Sequence, residues 1–330
     1  MSLDSELNCA YRLDGQGMGH PIDWSDVKKW TPDQGVIWID LDCTHANTET
    51  WLRTGSGLDS FVVDGMMIRE TRPRCETYND GVLVVLRGVN LRPDANPEDM
   101  VSIRIWVDDH RVISTRYRHL MAIEDLRNQL TSGKGPVSAG HLVARFSGLL
   151  TDRMGPVIED LGEQVSDLED WMIEIDGDGQ QNLRDVRFKL AQLRRTAIAL
   201  RRYIAPQRDA LNRLSMFDEV WIDDRTRGRL RETVDRVTRI TEELDDVRER
   251  SALIQDELTN RISQRMERTM YVLTVVATIM LPLGFLTGLL GINVGGIPGA
   301  ETKWAFWAVC GGLITLVAAE VTLFKKFKWL

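Results

Sequence analysis

The chain has 330 residues, enough for two or three domains, and a formal net charge of −8. Its acidic excess argues against nucleic acid as a partner. The four cysteines are scattered and form no Cys-x-x-Cys pair, which disfavours a disulfide framework or a structural zinc site and is typical of a reducing compartment.

Residues 1–135 are predicted to form a cytoplasmic α/β domain. β-branched and aromatic residues are dense in four segments that we predict to be strands, 36–42, 81–87, 100–106 and 111–116. Residues 51–61 and 120–129 are typical of helical or mixed structure. Residues 132–136 are rich in Gly and Pro, which indicates a linker.

A cytoplasmic helical stalk is predicted over residues 136–268. Residues 138–175 and 182–214 are charged and amphipathic, which favours two long helices, and Pro206 is expected to kink or break the second one. No Gly or Pro occurs between residues 228 and 282, and apolar residues recur there at steps of three, four or seven. This pattern predicts one continuous helix that runs from the stalk into the membrane.

Residues 269–330 are predicted to form a transmembrane hairpin. The segment 270–290 is an uncharged apolar run that would span roughly 31 Å as a helix, close to the thickness of a bilayer's hydrocarbon core. A second run covers 304–324, with Glu320 as its one acid, and the short loop 291–303 makes the two spans antiparallel. Two buried helices of a soluble protein are the alternative, which length and flanking charge disfavour.

Basic residues near the span ends predict the orientation. The loop between the spans offers only Lys303. The basic residues outside the hairpin are Arg261, Arg265 and Arg268 before it and Lys325, Lys326 and Lys328 after it. Both termini are therefore expected on the cytoplasmic side.

One face of the first span suits a pore. Two helices cannot enclose a polar path, so conduction would need several copies around an axis. The residues at helical spacing are Glu267, Met270, Leu273 or Thr274, Ala277, Leu281, Gly284 and Gly288. The span carries no His, Cys or Asp, which favours passage of a hydrated or partly hydrated ion over passage between coordinating side chains. Close packing of helices through the two glycines is the alternative.

The C-terminal region resembles a known family. The segment 271–294 is similar to the pore helix and signature loop of the CorA family of divalent-cation transporters, and residues 325–330 resemble its basic tail. The family's Gly-Met-Asn signature is here Gly291-Ile292-Asn293. With Glu70-Thr-Arg-Pro-Arg74 and the segment from residue 87 to 106, this variant resembles the ZntB zinc-transporting branch.

The resemblance implies a funnel-shaped homopentamer whose first span lines the pore and whose second span faces lipid. Gly291, Ile292 and Asn293 would form the selectivity loop, with Asn293 presenting a ring of amide oxygens to a hydrated cation. Met270, Leu273, Ala277 and Leu281 match pore-lining positions. Gly284 stands where magnesium-transporting members often carry a polar residue, which disfavours magnesium-type coordination.

Five further residues are candidates with strong structural alternatives. Glu301 could concentrate cations at the outer mouth or be idle. By the resemblance, Asp256 lies near where some members hold a regulatory metal ion, but it also suits a solvated helix face. Glu320 is favoured as a structural acid that reaches toward Lys325 or the interface. Cys43 and His45 are too few ligands for a zinc site, so we expect a structural role.

The sequence therefore predicts zinc transport across the bacterial inner membrane, less selectively extended to other divalent transition-metal cations, with self, divalent cations and the bilayer as partners. Import, with or without proton coupling, is the expected direction. The alternatives are zinc efflux by the same pore, a magnesium or cobalt channel, and a membrane-anchored coiled-coil scaffold or sensor. We expect no enzymatic activity and no cofactor beyond the transported Zn²⁺, because no nucleophile–base pair or nucleotide motif is present.

Overall fold

The computed structural model describes residues 7–78, 80–93, 95–174, 180–291 and 302–326. The chain divides into two compact units, Met1–Gln255 and Asp256–Leu330, which are named here, after their predicted locations, the cytoplasmic unit and the membrane unit. The three-part division at residues 135 and 268 stays a prediction.

A seven-stranded sheet organises the cytoplasmic unit. Its strands are β1 (Leu7–Leu13), β2 (Gly19–Pro21), β3 (Ile37–Asp42), β4 (Arg74–Tyr78), β5 (Gly81–Gly88), β6 (Val101–Val107) and β7 (Arg111–Arg116). Their order is β2-β1-β3-β7-β6-β5-β4, and only the β3–β7 pair is parallel. The four predicted strands are confirmed as β3, β5, β6 and β7.

Three strands were not predicted, and each lacks the expected apolar pattern. β1 mixes Asn, Cys and Arg with apolar residues, β2 has only three residues, and β4 has the sequence Arg-Cys-Glu-Thr-Tyr. β2 and β4 are the two edges of the sheet. Edge strands need little apolar surface, so their sequences carry a weak strand signal.

Helices cover both faces of the sheet. On one face α1 (Trp24–Lys29), α2 (Ala46–Thr54) and α3 (Ser60–Met67) enclose a core in which Ile37, Ile39 and Leu41 alternate along β3. On the other face, α5 (Ala139–Asp152) and α7 (Gln180–Ser215) contact β5. Every residue of β5 is buried. Burial on both sides explains why its sequence is a continuous apolar run.

The predicted helix over residues 138–175 is wrong as a single element. It is divided into α5 (Ala139–Asp152) and α6 (Gly155–Glu174), which follow α4 (Met121–Thr131). Pro156 lies at the second position of α6. Proline has no N–H to bond the preceding turn, so it is tolerated at a helix start and interrupts a helix that would continue from upstream.

Of the predicted kink or break at Pro206, the break is wrong, because α7 (Gln180–Ser215) continues through this residue; the kink stays a prediction. The flanking helix is well anchored in the core: Leu200, Ile204 and Leu211 are fully buried. The side-chain oxygen Oε1 of Gln207 accepts a hydrogen bond of 2.7 Å from the backbone N–H of Arg87 in β5. Burial along the helix thus outweighs the one backbone hydrogen bond that proline removes.

The predicted continuous stalk-to-span helix is confirmed. α8 extends from Asp224 to Leu290, a total of 67 residues with Pro282 inside, and α9 covers Ala305–Lys326. Among the described residues these two helices are long and apolar enough to cross a membrane.

Candidate ion pathway

The apolar end of α8 is exposed along most of its surface, and its few half-buried residues lie on one side. At about 100° per residue, the predicted pore-lining residues from Met270 to Gly288 fall within an arc of about 80°. All of them are exposed in the single chain; Met270 is 59 % exposed and Leu281 is 70 % exposed. The half-buried residues of this segment, Val275, Ile279, Pro282 and Leu283, lie on roughly the opposite side. The candidate pore face is therefore part of the large surface of this segment that the described chain leaves uncovered.

α9 carries a matching half-buried stripe. Its members recur at steps of three and four: Val309, Leu313, Leu316, Val317, Glu320 and Phe324. Only α8 and α9 are described as helices in the membrane unit. We infer that the two half-buried stripes face each other, which turns the candidate pore face away from α9.

The glycines of α8 are not required by the chain's own packing. A Cβ atom added at Gly284 or Gly288 would meet nothing within 4 Å. Two glycines one turn apart permit close approach of a neighbouring helix. Any contact that requires them must therefore come from outside the described part of this chain.

The hydroxyl groups of this segment are already engaged. Thr274 donates to the carbonyl oxygen of Met270 at 2.8 Å, Thr278 to that of Thr274 at 2.8 Å, and Thr287 to that of Leu283 at 2.8 Å. Each hydroxyl uses its proton within the helix and keeps its oxygen lone pairs, so these groups add only weak polarity to the segment. The face offers an apolar and weakly polar wall rather than a coordination site.

The helix ends where the predicted selectivity loop begins. The backbone N–H of Gly291 donates to the carbonyl oxygens of Thr287 at 2.9 Å and Gly288 at 3.2 Å. Ile292, Asn293 and Glu301 lie outside the described residues. At the other end Glu267 is exposed on α8, one residue before Arg268, the last charged residue of the helix.

The remaining candidates are dispersed. Asp256 is exposed, and no group of three or more His, Cys, Asp or Glu side chains that could hold a metal occurs among the described residues. Cys43 is buried, which raises the pKa of its thiol to about 11, and its Sγ lies 3.8 Å from the Sδ of Met67. A buried protonated thiol with a half-buried His45 nearby in sequence supports the structural role.

Glu320 does not pair with Lys325 in the described part of the chain. It is half-buried on α9, and its Oε2 atom is buried without a hydrogen-bond partner. An acid in an apolar span is costly unless a partner or water reaches it. Its environment within one chain is thus incomplete.

Sequence reasoning missed the arginines of the cytoplasmic unit. Arg87 is 8 % exposed and donates to the carbonyl oxygens of Thr71 (3.0 and 2.8 Å) and Met100 (3.0 Å). Its guanidinium lies 3.9 Å from the ring centroid of Tyr203. Burial lowers the pKa of Arg87 from its usual value.

Arg104 is fully buried and donates to carbonyl oxygens of Ser102, Ile68 and Arg69. The two N-terminal segments that carry the zinc-branch resemblance thus meet in space. A polar cavity of about 240 Å³ is lined by members of both, including Glu70, Arg87 and Asp99. The meeting of these segments could not be read from their spacing along the chain.

Comparison with known proteins assigns the family. The model of the "CorA-like Mg2+ transporter protein" family matches residues 33–326. The chain belongs to the CorA family. A curated relative, the "divalent cation transporter CmaX" of Pseudomonas aeruginosa, is 38 % identical over 97 % of this chain and 96 % of its own length.

Two further CorA-family matches extend over nearly the whole chain. The "zinc transport protein ZntB" of Yersinia enterocolitica is 37 % identical over 99 % of this chain and 97 % of its own length. The solved structure of the full-length CmaX protein superposes with a TM-score of 0.85 at 36 % identity and covers 99 % of both chains. The predicted family and fold, an α/β domain followed by a long helix and two C-terminal candidate spans, are confirmed.

Proposed function

We propose that this CorA-family protein transports zinc, and less selectively other divalent transition-metal cations, through the axis of a homopentamer in the bacterial inner membrane. The observation that carries the proposal is the uncovered, charge-free face of α8, which ends at Gly291 directly before Ile292 and Asn293. ZntB and CmaX, both similar along their full length, are named as transporters of zinc and of divalent cations.

The wall of such a pore would bind the ion weakly. Each chain would contribute Met270, Leu273, Ala277, Leu281 and two glycines to the wall, and among these only the thioether of Met270 is a soft metal ligand. Stripping water from a divalent cation in an apolar tube is costly, so the ion would pass with water around it. A ring of Leu281 side chains could gate by dewetting.

Selection would take place at the ends of the pore. Five copies of Asn293 would present amide oxygens to the hydrated ion at the outer end, beside Gly291 and Ile292. Glu301 would add a ring of acids at the same mouth, and Glu267 would add one at the cytoplasmic end; rings of one sign raise the local cation concentration. Because hydrated divalent ions resemble one another, we expect cobalt, nickel and cadmium to pass as well.

The direction we propose is import, with both termini in the cytoplasm. A membrane potential that is negative inside favours entry by about 2.3 kcal/mol per charge per 100 mV, which doubles for a divalent ion. Efflux through the same pore would need a reversed gradient or proton coupling. Glu267, at the cytoplasmic end of the candidate pore face, is the acid that could carry such a proton.

The central experiment is zinc flux into proteoliposomes with the variant Asn293→Ala. We expect flux to fall strongly, because the amide ring that receives the hydrated ion is lost. Ile314→Ala, a truncation at an exposed position of α9 away from its half-buried stripe, is the matched control and should retain flux. Undiminished flux in Asn293→Ala at normal incorporation would overturn the assignment of the selectivity loop.

A magnesium-transporting channel is the second candidate, supported by the family description and by the broad name of CmaX. The same vesicles distinguish the two. Zinc uptake that persists in a large excess of magnesium supports zinc transport, whereas equal uptake of both ions with mutual competition supports a general divalent channel. Runs at both signs of the potential and with a pH gradient measure direction and proton coupling.

A further inference from the structure

A cavity in the cytoplasmic unit carries an excess of positive charge. It has a volume of about 390 Å³ and lies between α5, the first turns of α8 and the loop after α4. Its ionisable lining residues are Lys134, His141, Arg145, Arg229, Glu232 and Arg236. The lining thus contains four permanently charged cations and one carboxylate, whereas the whole chain has a net charge of −8.

Small residues keep this cavity open. Ala144, Gly148 and Thr233 line it and are buried. A Cβ atom at Gly148 would lie 3.4 Å from Nη2 of Arg236 and 4.0 Å from Oγ1 of Thr233. The space is thus created by the choice of small side chains on α5 and α8, and the cations surround it.

Most of these cations have no counter-ion in the described part of the chain. Arg145 donates from Nε to the neutral amide oxygen of Gln129 at 2.8 Å. Arg236 pairs with Asp152, yet its Nε is buried without a hydrogen-bond partner. Neither Lys134 nor Arg229 lies within 4.0 Å of a carboxylate of the described residues.

His141 adds a neutral donor to the same cavity. The backbone N–H of Val137 donates to its Nδ1 at 3.3 Å, which places the ring proton on Nε2. Burial, with Arg229 and Arg145 nearby, lowers the pKa of His141 to about 4. The ring is therefore uncharged at neutral pH and can donate one hydrogen bond without adding to the repulsion among the cations.

We propose that this cavity binds a small anion bearing two or more phosphate groups, with Lys134, Arg145 and Arg229 as its ionic partners. Guanidinium groups match phosphate oxygens in paired hydrogen bonds. A multivalent anion reduces the mutual repulsion of several cations at once, more than a singly charged ion would. This attraction also outweighs the repulsion from the exposed carboxylate of Glu232. The ligand source is a soluble polyphosphate or a nucleotide.

Pyrophosphate is the probe, used with the full-length protein in detergent and without divalent metal. Calorimetry should show saturable binding, and the melting temperature should rise with pyrophosphate concentration. The double variant Arg145→Gln/Arg229→Gln should weaken binding at least tenfold, whereas Arg231→Gln, an exposed arginine on α8 outside the cavity, should leave it unchanged. Lys134→Gln, on an exposed loop, provides a second variant that keeps the helices intact.

A parallel titration with ADP separates the two sources. Tighter binding of ADP than of pyrophosphate, lost in the double variant, assigns a nucleotide; equal or weaker binding assigns a free polyphosphate. The proposal is overturned if sodium sulfate at equal ionic strength stabilises the protein as much as pyrophosphate does, or if the folded double variant or Lys134→Gln binds pyrophosphate as tightly as the unmodified protein.

Discussion

The cytoplasmic and membrane units differ in how much of their apolar surface they cover with residues of the same chain. The cytoplasmic unit covers both faces of its sheet with its own helices and surrounds Arg87 and Arg104 with carbonyl oxygens. In the most apolar windows of α8 and α9 no residue is buried. A water-soluble unit must hide apolar surface within the chain, whereas a membrane unit can leave it to lipid and to other copies. The membrane unit is thus the part that a single chain leaves incomplete.

Gly288→Leu is the variant for which we expect the largest effect, and it tests this difference between the two units. Within one chain the new side chain meets open space, so folding of the chain should be unaffected. If copies approach along this face, the leucine should prevent the pentamer from forming and abolish most zinc flux. Light scattering of the purified protein and flux into vesicles measure the two effects.

Gly311→Leu is the matched control for Gly288→Leu, because it also meets nothing within 4 Å but lies on α9. We expect it to assemble and conduct. Equal behaviour of the two variants, whether both assemble or neither does, would contradict the assignment of the two helices to pore and periphery.

The next largest effect is expected for Arg87→Met in the cytoplasmic unit. The substitution leaves the carbonyl oxygens of Thr71 and Met100 without their donors, at a cost of about 3 kcal/mol. For a unit of this size the melting temperature should fall by roughly 6–12 °C. Arg92→Met, at an exposed position, should change it little. An unchanged melting temperature in Arg87→Met would show that water replaces the lost donors.

The smallest effect concerns pH. The pKa of His141 is about 4 in the folded protein, chiefly through burial and then through Arg229, with Arg145 also lowering it and Asp223 opposing. The unfolded chain binds this proton near pH 6.5, so the stability that a neutral His141 contributes is present above pH 6.5 and is lost as pH falls toward 4.

His141→Gln should therefore flatten the decline in melting temperature between pH 6.5 and pH 4.5, measured without phosphate. His45→Gln serves as a control, since His45 is half-buried outside the cavity. If the melting temperature of His141→Gln declines as steeply as that of the unmodified protein, groups other than His141 cause the decline.

Much of the fold was predictable where one physical signal dominated. In β5, residues 81–86 form a continuous apolar run because helices cover both faces of the strand, and α8 is continuous because neither Gly nor Pro occurs between Gly228 and Pro282. β2 and β4 were missed because edge strands carry few apolar residues, and β1 was missed because Asn8 and Arg12 interrupt its apolar pattern. The division of residues 138–175 depended on whether Pro156 starts a helix or lies within one, which spacing alone does not decide.

The candidate site was predictable in part. The pore-face residues follow from helical spacing and the family resemblance, and their roles stay predictions together with those of Ile292, Asn293 and Glu301. The buried arginines were not predictable, because an arginine inside a strand usually indicates a solvent-facing position. Here the carbonyl oxygens of neighbouring loops, brought close only by folding, accept hydrogen bonds from both guanidinium groups.

By itself the sequence determined the family, the two apolar spans and the uninterrupted α8, because length, hydropathy and helix-breaking residues act locally along the chain. Only the tertiary structure decided which face of the first span stays uncovered, how residues 70 and 99 reach one polar cavity, and that cations from positions 134 to 236 surround another. These features depend on contacts between residues distant in sequence, and local propensity does not encode which distant residues meet.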